Sequence, residues 1–363
     1  MQNIINFVVF AFVLGSIITV HEFGHFVAAK YFGVYCSQFS IGFGPKIFSK
    51  KGKETEYELR LLPIGGFVAM AGEADQEEMT ELMDVPFERT LQGKKAYQRV
   101  IIFLAGVFMN FVLAFAVLFA SNMFGARMPL DVLQIQTVHE GSPAQLSGLM
   151  TDDIIQKIYI KDSDKTFMIN QYSDVPKNFD KATFETSGNS VNAIITIKRG
   201  DSIKEIPVTM DFNEETNKYF LGITHKTRAL TLIEGFKYTG KDVAYMSTAI
   251  FDALKQLVVN FAGTVGQLSG PAGIYTVTAE VTESGSLVNL MRLLGMLSIN
   301  VGIFNLMPIP GLDGCQVLFT VVERIIGREL PQKLKLALQL AGLALVMLLM
   351  VYVTFQDLVK IWG

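Results

Sequence analysis

The stretch His21-Glu22-Phe23-Gly24-His25 sits inside the first long apolar run of the chain. That run covers residues 4–30, enough to cross the hydrocarbon of a bilayer as a helix. Successive helical residues are rotated by about 100°, so residues four apart share a face. His21 and His25 therefore direct two imidazoles at one point, with Glu22 beside them. Two nitrogen ligands on one helical face, plus a carboxylate able to take a proton from water, form the spacing that holds zinc and activates water. On a soluble surface helix chance produces such a pattern readily. Inside lipid each ionisable side chain costs about 2.5 kcal/mol or more, so three together mark a functional site.

The rest of the composition agrees with a lipid setting. Of 363 residues, 50% are hydrophobic, and the mean hydropathy is positive. This excludes an ordinary soluble enzyme and points to a polytopic α-helical membrane protein. A net charge of −3 gives no electrostatic case for a nucleic-acid partner, and none is expected. Cys36 and Cys315 are far apart and imply no disulfide framework, so both are expected as free thiols. The N-terminal run lacks a basic leader and continues beyond signal-peptide length, so it reads as a retained span.

Working outward, residues 1–30 are the first span. Residues 31–98 read as cytoplasmic or membrane-associated β hairpins and a loop, with turns at Gly42-Phe43-Gly44-Pro45 and Pro63-Ile64-Gly65-Gly66 and an acidic stretch at 73–89. Residues 99–125 are the second span. Gly106 and Asn110 lie on one face of it, one turn apart, and an Asn in lipid needs a hydrogen-bond partner. Helix packing and a role at the site are both open for Asn110. Residues 128–224 lose the long apolar runs and alternate as short strands, while 225–286 repeat at helical period with a polar second face, as an interfacial helix does. Residues 287–310 are the third span and run into Asn305-Leu306-Met307-Pro308-Ile309-Pro310-Gly311-Leu312-Asp313-Gly314. Two prolines break the helix there, and irregular backbone at membrane depth survives only in protein or beside water. Asp313 is thus placed where a carboxylate needs a cation or another polar partner. A loop at 311–333 leads to the fourth span, 334–358.

Charge sets the expected orientation. Lys30, Lys46, Lys50, Lys51, Lys53, Lys94, Lys95 and Arg99 share one face with Arg324, Arg328, Lys333 and Lys335. The positive-inside rule makes that face cytoplasmic and the 128–224 domain extracytoplasmic. His25 then lies about 8 Å of helix from the cytoplasmic end, the depth that Asp313 also reaches.

Together, His21-Glu22-x-x-His25 and Asn305-x-x-Pro308-x-Pro310-x-Leu312-Asp313-Gly314 resemble the two signatures of site-2 proteases, the M50 zinc metalloproteases. The segment Gly141-Ser142-Pro143-Ala144, Ser147-Gly148-Leu149, Asp152-Asp153-Ile154 resembles a bacterial PDZ domain, with Asp152 where that family prefers glycine. One such domain between spans two and three is similar to the RseP/RasP type, as are the 62–68 segment and Ser269-Gly270-Pro271-Ala272-Gly273. The resemblance implies a zinc cofactor on His21, His25 and Asp313, and Glu22 as general base. It implies that Asn305, Asn110, Pro308, Pro310, Gly42, Gly65 and Gly66 meet an unwound substrate. The implied substrates are single-span membrane proteins of the anti-sigma-factor type and signal-peptide remnants, and the implied location is a bacterial plasma membrane. Cys315-Gln316 and Val107 depart from the family pattern, which bears on substrate contacts and not on the metal.

Two other readings use the same residues: a membrane zinc transporter or sensor, and an inactive adaptor working through its PDZ-like domain. Glu22 beside His21 favours hydrolysis, since transport needs no base there, and the complete ligand set argues against an inactive chain.

Overall fold

The computed structural model describes residues 2–73, 85–176 and 178–362. In chain order its elements are α1 (Gln2–Tyr31), β1 (Cys36–Lys51), β2 (Glu56–Met70), α2 (Ala96–Gly125), β3 (Arg127–Pro129), β4 (Ile135–Val138), α3 (Pro143–Leu146), β5 (Ile154–Ile160), β6 (Lys165–Met168), α4 (Lys181–Phe184), β7 (Ser190–Arg199), β8 (Ser202–Asn213), β9 (Lys218–Phe220), β10 (Ile223–His225), β11 (Thr227–Ala229), α5 (Leu232–Val259), α6 (Phe261–Thr264), α7 (Pro271–Glu283), α8 (Leu287–Asn305), α9 (Asp313–Ile326) and α10 (Gln332–Trp362). They fall into two compact units, Ala126–Thr231 and the remainder.

Among the described residues four helices are long and apolar enough to cross a membrane: Gln2–Tyr31, Ala96–Gly125, Leu287–Asn305 and Lys333–Lys360. Lipid gives helices little hydrophobic reason to associate, so small residues that admit close backbone approach decide where they meet. Gly24 does this where α1 crosses α2, since a Cβ there would lie 2.3 Å from the Ala105 carbonyl oxygen. Gly295 of α8 receives the Leu118 side chain of α2, and Ser298 donates to the Asn110 carbonyl at 2.8 Å.

The first two strands fold back on themselves. β1 bends at Gly42 and Gly44, both at φ +87°, and β2 bends at Gly65, at φ +103°. Residues 36–41 consequently pair with 66–70 on one side and with 56–59 on the other, while 46–51 pairs with 56–60. Residues 66–70 are left as the outer strand, where Val68 and Met70 pack with Phe26 and Ala29 of α1, and a Cβ on Gly15 would lie 2.1 Å from the Pro63 carbonyl oxygen. Inside this small sheet the Glu58 carboxylate is fully buried and is held by Lys46 and by Arg60 at 2.6 Å.

The Ala126–Thr231 unit is a five-stranded antiparallel sheet in the order β6-β5-β7-β8-β9 with two short ladders, β4–β10 and β3–β11. Its core contains Ile135, Ile155, Ile158, Ile160, Phe184, Ile195, Ile197 and Met210. Ser142 caps the Pro143–Leu146 turn by accepting from the Gln145 amide. Asp152 adopts φ +74°, the left-handed region that Asp tolerates better than most residues. Asp153, fully buried, accepts from Arg199 at 2.7 Å and from the Met150 amide at 2.9 Å.

Several expected boundaries change. The β unit ends at Thr231 rather than 224 because β10 and β11 return to pair with β4 and β3. The helical stretch at 225–286 comprises α5, the short α6 and, after Gly270, α7. Val243, Met246, Ile250 and Leu254 of α5 pack against Ala114, Leu118, Ile299 and Ile303, the core of the α2–α8 contact. Residues 311–333, expected as a loop, contain the helix α9, whose buried face carries Cys315, Phe319 and Glu323. Prolines and basic residues at its ends masked its period. The acidic stretch at 73–89 falls mostly outside the described residues, at 74–84, and ends in a short 3₁₀ turn, Phe87–Arg89.

Candidate metal centre

The α1 helix lays the His21 and His25 rings edge to face, with centroids 4.7 Å apart and both side chains buried. Gly106 of α2 makes room for them: a Cβ there would lie 2.4 Å from His25 Nε2 and 2.8 Å from His21 Cε1. His25 Nδ1 lies 2.8 Å from the Ile102 carbonyl oxygen. A carbonyl only accepts, so the ring proton sits on Nδ1 and the Nε2 lone pair faces inward.

Asp313 arrives from the other end of the chain. Beyond α8 the backbone turns sharply, with Gly311 at φ +98° and Gly314 pressed so close to the Leu306 and Met307 carbonyls that only glycine fits. Asp313 then opens α9 and reaches back to the histidines. Its Oδ2 lies 3.0 Å from His21 Nε2 and 3.4 Å from His25 Nε2, and the two Nε2 atoms are 3.1 Å apart.

Three ligand atoms, all within 4.8 Å of one another, converge on one point. Asp313 Oδ2 is buried, and among the described residues no hydrogen bond is directed to it. The inward lone pair of His25 cannot supply one. Two such acceptors, His25 Nε2 and Asp313 Oδ2, lie 3.4 Å apart in a buried site, an arrangement that a cation between them relieves. Two imidazole nitrogens and one carboxylate oxygen are a donor set that suits zinc and leaves a position open for water. The residues therefore fit the metal that the sequence implies.

Glu22 is half-buried on the adjoining face of α1. Its Cγ lies 3.9 Å from the position of a Cβ on Gly66, and the Val68 amide faces its carboxylate. The outer strand at residues 66–70 thus runs beside the expected base.

The remaining expected residues scatter. Asn305 ends α8 half-buried, and among the described residues no hydrogen bond joins it to the histidines. Pro308 is exposed, and the Pro310 carbonyl packs against Gly342 of α10. Gly42 and Gly65 shape the bends of β1 and β2, where a Cβ would strike the Leu62 carbonyl and the Phe43 ring. Asn110 is fully buried, with its side-chain amide 3.2 Å from His21 Nδ1. The Ile102 carbonyl escaped the sequence reading because a backbone oxygen has no residue-type signature. Gly106 stood one turn from Asn110 in the sequence, and that spacing was its only signal.

Site and fold together match a membrane-embedded metallohydrolase, with candidate ligands on the first span and at the start of α9. The model of peptidase family M50 matches residues 9–349. A Clostridium perfringens protein provisionally named a zinc metalloprotease is 33% identical, over 97% of this chain and 98% of its own length. The regulator of sigma-W protease RasP of Bacillus subtilis is 29% identical over 98% of each chain. The chloroplastic membrane metalloprotease ARASP of Arabidopsis thaliana is 30% identical over 95% of this chain and 77% of its own. The chain belongs to peptidase family M50. It is a zinc metalloendopeptidase and a multi-pass membrane protein.

Proposed function

We propose that the chain cuts peptide bonds within the transmembrane segments of single-span membrane proteins, with His21, His25 and Asp313 as zinc ligands and Glu22 as general base and acid. The observation that carries this reading is the meeting of Asp313 Oδ2 with both imidazoles, between segments at opposite ends of the chain. When bound, zinc supplies the Lewis acidity that acidifies water and polarises a peptide carbonyl. Glu22 accepts the water proton and returns it to the departing amine nitrogen.

A helical substrate closes its own amides, so it must unwind before a carbonyl is accessible. The outer strand at residues 66–70, beside Glu22, supports recognition by strand addition, in which new backbone hydrogen bonds offset those lost on unwinding. Gly65 and Gly66 keep that edge narrow, Gly42 shapes the bend behind it, and Asn305, Pro308 and Pro310 would border the far side.

Basic residues around α2, α9 and the start of α10 favour a cytoplasmic site and an extracytoplasmic β unit. A PDZ-like identity for that unit is supported by the Ser142-capped turn and by Asp152, whose left-handed backbone meets the demand that glycine meets in the resembled signature. By that reading it binds or excludes substrate ends outside the membrane. The name of RasP speaks of regulation of a sigma factor, which favours substrates of the anti-sigma-factor type, with signal-peptide remnants as a second class.

The test is Glu22→Gln in reconstituted vesicles with a tagged single-span substrate. Full zinc content with cleavage abolished is the expected result, whereas cleavage at the wild-type rate would remove Glu22 from the mechanism.

A further inference from the structure

Asn110 is fully buried on α2, and its Nδ2 lies 3.2 Å from His21 Nδ1, while its buried Oδ1 has no hydrogen-bond partner among the described residues. The two ends of a carboxamide exchange by a half-turn about the last side-chain bond, and hydrogen bonding decides which orientation holds. With Oδ1 turned to His21 Nδ1, the orphaned oxygen gains a donor and the ring N–H gains an acceptor. A neutral imidazole carries a single proton. A proton on Nδ1 therefore leaves the lone pair on Nε2, the atom that faces Asp313 and His25.

We infer that Asn110 is a positioning residue, which accepts the Nδ1–H of His21 and fixes the tautomer whose Nε2 is free to ligate. It does for His21 what the Ile102 carbonyl does for His25. The two ligands are thus oriented by one helix, α2, through a side chain and a backbone oxygen. The α2 face reads glycine then asparagine: Gly106 provides room for both rings, and Asn110, one turn on, provides the acceptor. Asn110 is itself seated from α8. Its carbonyl accepts from Ser298, and a Cβ on Gly302 would lie 3.4 Å from its Cβ. Completely enclosed, Asn110 has no surface to offer a substrate. Outer partners of this kind hold the ring orientation and basicity of a metal ligand.

This inference rests on His21 being a ligand, and the experiment separates the two. Zinc affinity is measured by chelator competition on the purified full chain in detergent. Asn110→Leu is expected to weaken zinc by about 10- to 100-fold, as loss of such a partner does, with kcat lowered and KM unchanged. Asn110→Asp, which keeps acceptor oxygens and lacks the N–H, is expected to bind zinc like the wild type. If Asn110 instead donates to His21, Asn110→Asp fails as Asn110→Leu does, and the inference falls. In the unsubstituted protein the nitrogen-15 shifts of the His21 ring must place the proton on Nδ1, and a proton on Nε2 overturns the inference even where a variant does not fold. His21→Ala is the control. Loss of zinc in His21→Ala with full binding in Asn110→Leu rejects the inference alone, whereas full binding in His21→Ala rejects the ligand reading beneath it.

Discussion

Gly24 of α1 and Ala105 of α2 approach until a Cβ on the glycine would lie 2.3 Å from the alanine's carbonyl oxygen. This contact lies within the His21–His25 turn, so the helix spacing and the metal geometry are set together. Gly24→Ala should force the helices apart and draw His25 away from the Ile102 carbonyl, now at 2.8 Å. Overpacking of this kind costs about 1–3 kcal/mol. The expected outcome is a lower unfolding temperature together with weaker zinc binding, read by thermal melts with and without metal.

Gly66→Val should act on turnover rather than on the metal. A Cβ there would lie 2.6 Å from the Ser40 carbonyl and 3.9 Å from Glu22 Cγ, disturbing the edge and crowding the base. Cleavage of a reconstituted substrate should fall at least tenfold, about 1.4 kcal/mol of transition-state stabilisation, while zinc content stays full.

Asp357 near the end of α10 accepts the Gly270 and Gly273 amides at 2.8 and 2.9 Å, capping the first turn of α7. The carboxylate is buried, and the absence of a side chain on Gly270 and Gly273 lets it come close. Asp357→Leu leaves two amides unsatisfied at about 1–3 kcal/mol each. Limited proteolysis should then cut near residues 265–273 faster than in the wild type, with Asp357→Asn intermediate.

The contacts of Glu323 on α9 give the chain an acid limit. Burial alone would raise its carboxyl, but Lys335, the Leu330 amide and Arg99 outweigh burial and hold it below the ordinary carboxylate range. A group depressed in the folded state adds stability above its unfolded pKa of about 4.3, and loses it as pH falls toward the folded value. Melts between neutrality and strong acid should therefore show stability falling below about pH 4.5 in the wild type, and a shallower fall in Glu323→Gln.

Cys36 and Cys315 are buried free thiols, and burial pushes the Cys36 thiol up to about 12. Reactive cysteines need thiolate character and exposure. Neither should react with iodoacetamide in the folded chain, and both should react once it is unfolded.

What the sequence made legible follows from its periods. His21, Glu22 and His25 lie within five residues of one helix, and their spacing alone predicts convergence. Asp313 could be matched to them because two prolines broke a span at the right depth. The β unit's edges were less visible, since β10 and β11 are each three residues long and gain meaning only by pairing with β4 and β3. The role of Asn110 was hidden for a different reason. A polar residue in a span announces that it has a partner, but naming that partner requires knowing which face of α1 it meets.

The central claim is a zinc ion held by two imidazoles and one carboxylate, with no thiolate. X-ray absorption at the zinc edge of the metal-loaded full chain tests it most directly. The account predicts nitrogen and oxygen scatterers at about 2.0–2.2 Å with two imidazoles resolved. A sulfur scatterer at about 2.3 Å, or fewer than two imidazoles, would contradict it.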